Sequence, residues 1–196
     1  MYRQSVLLGA VLAVVLLPGA AWAHLAAVPH EHGLEMGLLH PLTGLDHLLV
    51  MGAIGVWAAR SGGREIWIAP TCFVVGMTAG LLAGFPFVSA AGIELVVALS
   101  IVALGSLLAF TVTLPRWGTM LLAASAGLSH GAAHAAEGPI QSGFTSFAIG
   151  ALMTTLLLHA VGAVTGLATR RLHHNILRIA GVAMAAFGLG AALTPV

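Results

Sequence analysis

The sequence predicts an all-α membrane protein built as a bundle of six transmembrane helices. Hydrophobic residues make up 59% of the 196 residues and charged residues only 7%, and the mean hydropathy is +1.04. Water-soluble domains do not have this composition. The length allows several apolar spans of about 20 residues each, and leaves no room for an additional soluble domain of ordinary size.

Composition also excludes several classes of function. The formal net charge of +1 gives no sign of a nucleic-acid partner, and the chain contains no lysine, so it has no Walker A phosphate loop. Its one cysteine, Cys72, rules out an internal disulfide and a thiolate-rich metal site. We predict that the chain is not an enzyme and uses no organic cofactor.

The first 23 residues are typical of a secretory signal peptide. Arg3 gives the positive start, residues 6–17 form a short apolar core, and "AWA" forms a small-residue cleavage site before His24. An uncleaved anchor helix is the alternative, although the apolar core is short for a membrane span. Cleavage indicates a bacterial inner membrane protein whose mature N-terminus, a segment at 24–39, is periplasmic.

Six apolar segments follow in a transmembrane domain at 40–196, and Pro, Gly and charged residues separate them. Six spans place the C-terminus in the periplasm with the mature N-terminus. The resulting cytoplasmic side holds the arginines, as the positive-inside rule predicts. The predicted spans are 42–60, 66–84, 90–111, 117–137, 144–168 and 175–194, and the arginines are Arg60, Arg64, Arg116, Arg170, Arg171 and Arg178.

Glycines at four-residue spacing predict close helix packing. They are Gly76, Gly80 and Gly84 in the second span and Gly162 with Gly166 in the fifth.

Ionisable residues stand at the start of the first span, in "HPLTGLDHLLVM". Pro41 favours a helix start here, which places His40 near its cap. His40, Gly44 and His47 would share one stripe of that helix, with Asp46 beside them and His47 about 10 Å deeper than His40. Gly44 would leave space between the two imidazoles.

The fourth span ends in a second group, because His130, His134 and Glu137 share one helical face. Glu94 lies near the outer end of the third span, and His159 lies deeper in the fifth. Each such group costs about 3 kcal/mol to place in lipid. All of them should therefore face the interior of the bundle.

Imidazole and carboxylate together, without thiolate, favour a divalent transition metal. Interhelical hydrogen bonding is the alternative for each single histidine. Met51, one turn below His47, is a further soft ligand or, more simply, a packing residue.

The motifs "HPLTGLDHLLVM", "GIELVVALS" and "HGAAHAAE" resemble the HupE/UreJ family of membrane proteins accessory to hydrogenase and urease. The resemblance covers essentially the whole chain. It implies import of Ni²⁺, or of Co²⁺, with cytosolic nickel-handling proteins as partners, and ligand type alone would also allow Zn²⁺. By position it implies a metal path through His40, Asp46, His47, Glu94, His130, His134 and Glu137, to which we add His159 on its depth.

Other readings stay open. His24, with its free amine, and the histidines that follow could form an external capture arm or only a solvated tether. An intramembrane metal-dependent hydrolase would use the same residue types, as would a periplasmic metal-binding protein that does not transport. Transport through histidine ligands should weaken as the pH falls through the imidazole range near 6.5.

Overall fold

The computed structural model describes residues 33–139, 143–169 and 174–194, and all regular secondary structure in these ranges is helical. The helices are α1 Gly33–Thr43, α2 Leu45–Ser61, α3 Glu65–Ala83, α4 Ala90–Phe110, α5 Arg116–Glu137, α6 Phe144–Ala168 and α7 His174–Leu193. The predicted fold class is therefore confirmed as all-α. The predicted signal peptide at 1–23 lies outside the described residues.

Four of these helices are long and apolar enough to cross a membrane: α3, α4, α6 and residues Asn175–Leu193 of α7. A fifth span is formed if α1 and α2, which meet at an angle of 79°, count as one broken span. Helix α5 has the length, 22 residues, but its histidines, serines and end charges lower its mean hydropathy. The chain is thus a membrane protein with four or five apolar spans among the described residues.

The first predicted span differs from the structure in one respect. A separate helix, α1, already begins at Gly33, and Pro41 lies inside it instead of opening the span. The chain then breaks at Gly44, whose backbone is extended with φ −88° and ψ 119°. At the end of α1 the Thr43 hydroxyl donates to the His40 carbonyl at 2.8 Å, which satisfies one carbonyl left without a helical partner.

The glycines of α3 pack against α5, as their spacing predicted. A β-carbon on Gly76 or Gly80 would collide with the backbone of α5, and one on Gly127 or Gly131 would collide with the backbone of α3. The two helices therefore approach closely along matching small-residue faces. Gly84 is different, because nothing lies near it; it ends α3 in the left-handed conformation with φ 61°.

A second close pair joins α2 and α6. Gly162 meets the backbone at Gly52, Gly166 meets Val56, and Gly55 meets the backbone at His159. Helices α4 and α7 form a third close pair around Gly105 and Gly181. The core between α2, α3, α5 and α6 contains the largest buried side chains, among them Phe73, Met51, Met77, His130 and His134.

Candidate metal centre

The break at Gly44 brings the end of α1 to the end of α5. His40 lies in the last turn of α1, and Glu137 is the last residue of α5. The two side chains meet with Nε2 and Oε2 2.7 Å apart, at 22% and 40% exposure. A partly exposed imidazole and carboxylate therefore stand together at the surface of the bundle.

His47 lies behind this pair, in the first turns of α2. Its Nδ1 atom is 2.9 Å from Oδ1 of Asp46, and its side chain is only 5% exposed. Carboxylates in this position commonly orient a metal-binding histidine and leave its other nitrogen free to bind the ion. Both ring nitrogens of His47 are buried, and neither makes a well-aligned hydrogen bond among the described residues, although Asp46 lies close to Nδ1.

Four side chains from three helices converge here and are called the histidine cluster: His40, His47, His134 and Glu137. One candidate ligand atom from each lies within 4.8 Å of all the others. Ligand atoms around a single ion with bonds of about 2.0–2.2 Å lie at most about 4.4 Å apart. The cluster is thus close to the size of one coordination sphere.

His134 joins the cluster from the last turn of α5. Its ring centroid lies 4.4 Å from that of His47 and 4.9 Å from that of His40. The side chain is fully buried, and neither ring nitrogen has a hydrogen-bond partner among the described residues. Buried polar nitrogens without partners are costly, and a bound cation would satisfy one of them.

His130 lies one turn before His134 on α5 and extends the row of imidazoles into the core. Its ring lies 5.0 Å from that of His47, and its Nε2 atom is 3.2 Å from the Ser100 hydroxyl. That hydroxyl donates to the Val97 carbonyl at 2.6 Å, so it accepts from His130 Nε2–H. The Nδ1 atom of His130 is then an unprotonated acceptor, which is the form that binds a metal.

Phenylalanines form part of the walls around these imidazoles. Phe147 of α6 lies edge-on to His40 at 5.6 Å and near His134 at 6.2 Å between centroids. Phe73 of α3 lies 5.8 Å from His130. Both side chains are fully buried. Sequence analysis did not find them, or Ser100, because nothing in an apolar segment shows which residue faces a neighbouring helix.

The structure brings most of the predicted residues together. His40, His47, His134 and Glu137 form the cluster, Asp46 lies beside His47, and His130 continues the row. The rings of His40 and His47 are only 5.7 Å apart. The predicted separation of about 10 Å along one straight helix is therefore wrong, because the bend at Gly44 folds His40 back toward His47.

Two predicted residues lie outside the cluster, and a third is not among the described residues. The side chain of Glu94 is exposed and is not part of the cluster, so the expectation that it faces the interior is wrong. His159 is buried at 3% exposure, separately from the cluster. His24 lies outside the described residues. Gly44 leaves no open space either, because a β-carbon there would lie 2.7 Å from Asp46 Oδ1 and 2.8 Å from His47 Nδ1.

Fold and site together define a polytopic membrane protein with a histidine and carboxylate cluster at one end of its bundle. The comparisons with known proteins identify the family. The model of the HupE / UreJ protein family matches residues 12–191, and the chain belongs to this family of hydrogenase and urease accessory membrane proteins. It is 37% identical over 180 residues to Protein HupE of Rhizobium leguminosarum bv. viciae. The matched region covers 90% of this chain and 92% of that protein. No solved structure matches the chain.

Proposed function

We propose that the protein imports Ni²⁺ across the bacterial inner membrane for the maturation of a hydrogenase or urease. The histidine cluster is the observation that carries this proposal, since its four candidate ligand atoms lie within 4.8 Å of one another. Three imidazoles and a carboxylate suit a borderline divalent ion such as Ni²⁺, with Co²⁺ and Zn²⁺ as competitors.

The gradient of exposure favours a path over a closed structural site. Glu137 is 40% exposed and His40 22%, whereas His130 and His134 are fully buried. An ion captured at Glu137 would therefore meet deeper imidazoles in succession. A permease needs such neighbouring weak sites, because the ion must leave each one again.

Carboxylates offset the charge of the entering ion. Glu137 would bind it directly, while Asp46 would stay on His47 Nδ1 and direct His47 Nε2 toward the metal. Together they supply two negative charges for a divalent cation. In this proposal Asp46 is a positioning residue, and the four members of the histidine cluster are the ligands.

The orientation of the proposed path follows from the arginines. Arg60, Arg64 and Arg116 lie at the opposite ends of their helices from the histidine cluster, and the positive-inside rule assigns that end to the cytoplasm. We propose that α5, the fourth predicted span in chain order, also crosses the membrane and completes the set of six, with His130 and His134 turned toward the core. The cluster then opens to the periplasm, the side of both termini, and the ion leaves toward cytosolic nickel-handling proteins.

Uptake into liposomes tests this function. The full chain is reconstituted in vesicles that contain a nickel-sensitive dye, and Ni²⁺ is added outside. A permease produces a dye signal well above that of protein-free vesicles, and excess Co²⁺ or Zn²⁺ outside lowers it. Binding of Ni²⁺ to the purified protein without a dye signal would contradict import, and would favour a metal-binding accessory protein or a metal-dependent hydrolase instead.

A further inference from the structure

A second set of possible metal ligands lies deeper in the bundle than the histidine cluster. Met51 is one turn below His47 on α2, and Met77 lies across from it on α3. Their sulfur atoms both lie 3.3 Å from the Thr155 hydroxyl of α6. All three side chains are fully buried, and they are called the methionine group.

The single proton of Thr155 cannot serve every acceptor around it. The hydroxyl lies 2.8 Å from the Ala151 carbonyl, which is a stronger acceptor than a thioether sulfur. With the proton on that carbonyl, the Thr155 oxygen and the two sulfur atoms are three neutral acceptors close together in one buried place. Acceptors grouped in this way are suited to a cation.

His159 adds a nitrogen one turn further along α6. Its side chain is 3% exposed, and both ring nitrogens are buried without a hydrogen-bond partner among the described residues. Its only described ring contact is with Phe73, at 5.0 Å between centroids. Phe73 also contacts His130, so one phenyl ring contacts both imidazoles.

We propose that the methionine group and His159 form a second, softer metal station that receives the ion from the histidine cluster and passes it on. This proposal rests on the import function. Thioethers bind soft and borderline ions, whereas Mg²⁺ and Ca²⁺ require oxygen ligands. The station therefore excludes hard divalent ions that enter the cluster through its carboxylate.

The double variant M51L/M77L tests the station, with M184L as the control. Met184 is also buried, at 5% exposure, but it lies on α7. Replacement of Met by Leu nearly conserves volume, so the bundle should fold normally. We expect M51L/M77L to bind Ni²⁺ at the histidine cluster with unchanged affinity while its uptake falls roughly tenfold, as is typical when metal-site residues are replaced.

A binding measurement makes the station testable without transport. Ag⁺ is a soft ion that thioethers bind, and it is titrated into purified protein in a C72A background, so that the thiol does not contribute. We expect M184L to bind about one Ag⁺ more than M51L/M77L. Equal Ag⁺ binding by the two variants would overturn the station.

The uptake measurement gives the second decision. If the wild type transports Ni²⁺ and M51L/M77L transports it at the same rate, the station is overturned. A loss of Ni²⁺ affinity in M51L/M77L would also overturn it, since the substitutions would then act through the histidine cluster. If the wild type shows no Ni²⁺ uptake and M51L/M77L loses the Ag⁺ site, the proposed import function is rejected, while the methionine group is retained as a soft metal-binding site.

Discussion

The histidine cluster and the methionine group share one helix, α2, which contributes His47 to the first and Met51 to the second, and they differ in exposure and in charge. The cluster is partly exposed, with Glu137 at 40%, and includes a carboxylate. The methionine group is fully buried and offers only neutral sulfur and oxygen. The first suits capture of a hydrated cation from water, and the second suits passage of an ion that has already lost its water.

This difference shows how one bundle combines capture with release. A charged cluster alone would hold a divalent ion tightly, while a neutral group alone would not attract it. Conduction requires binding that is favourable enough for entry and weak enough for exit. Ligands of decreasing charge from the surface of the bundle to its interior meet both requirements.

The largest expected effect is that of H47A, because His47 touches both His40 and His134 and lies at the centre of the cluster. Uptake of Ni²⁺ should fall to the level of protein-free vesicles. Protein level in the membrane should stay normal, since the variant removes a polar group that is costly to bury. Normal uptake combined with poor expression would instead make His47 a structural residue.

The next largest effect on Ni²⁺ uptake is expected when the two outer carboxylates, Glu137 and Glu94, are replaced one at a time. E137Q keeps the shape of the side chain but removes the charge at the mouth of the cluster, and uptake should fall roughly 10- to 100-fold. E94Q is the matched control and should transport like wild type, because the structure places Glu94 on an exposed face. A strong defect in E94Q with a mild one in E137Q would support the assignment made from sequence over the structure.

This pair also shows what the sequence could predict. On α5 the spacing of His130, His134 and Glu137 was sufficient to place them on one helical face, and the two histidines are buried while Glu137 at the helix end is partly exposed. The third predicted span, which is helix α4, is apolar on nearly all sides, so its pattern contains no information on the rotation of Glu94. The direction of Glu94 depends on packing against other helices.

The predicted geometry of the first span was wrong for a different reason. Helical periodicity assumes a straight helix, and the break at Gly44 makes residues on either side belong to separate helices. Sequence analysis therefore predicted that His40, Asp46 and His47 lie near one another, which they do, but with the wrong geometry. The chain composition, by contrast, was sufficient to predict an all-helical membrane protein, since backbone groups in lipid must be satisfied within each helix.

Acid should weaken the histidine cluster more than the methionine group, because thioethers do not titrate. Histidines bind metal in their neutral form, so protons compete with Ni²⁺ as the pH falls. Uptake should therefore fall as the pH drops through the imidazole range near 6.5. A nickel ionophore in the same vesicles controls for the dye, and a flat profile would contradict histidine ligation.

The smallest expected effect comes from one methyl group at the bend between α1 and α2. In G44A the new β-carbon would lie 2.7 Å from Asp46 Oδ1 and 2.8 Å from His47 Nδ1, so this pair must move away from the cluster. The backbone of Gly44, at φ −88°, accepts alanine without strain. We therefore expect a severalfold loss of Ni²⁺ affinity and uptake in a normally folded protein.

The control for G44A lies two turns along α2. A β-carbon at Gly52 meets nothing within 4 Å, and alanine is the better helix former, so G52A should bind and transport like wild type. Both variants are compared by Ni²⁺ titration and dye uptake. Wild-type affinity in G44A would show that the Asp46 and His47 pair can shift freely, and Asp46 would then not be the residue that positions His47 for the metal.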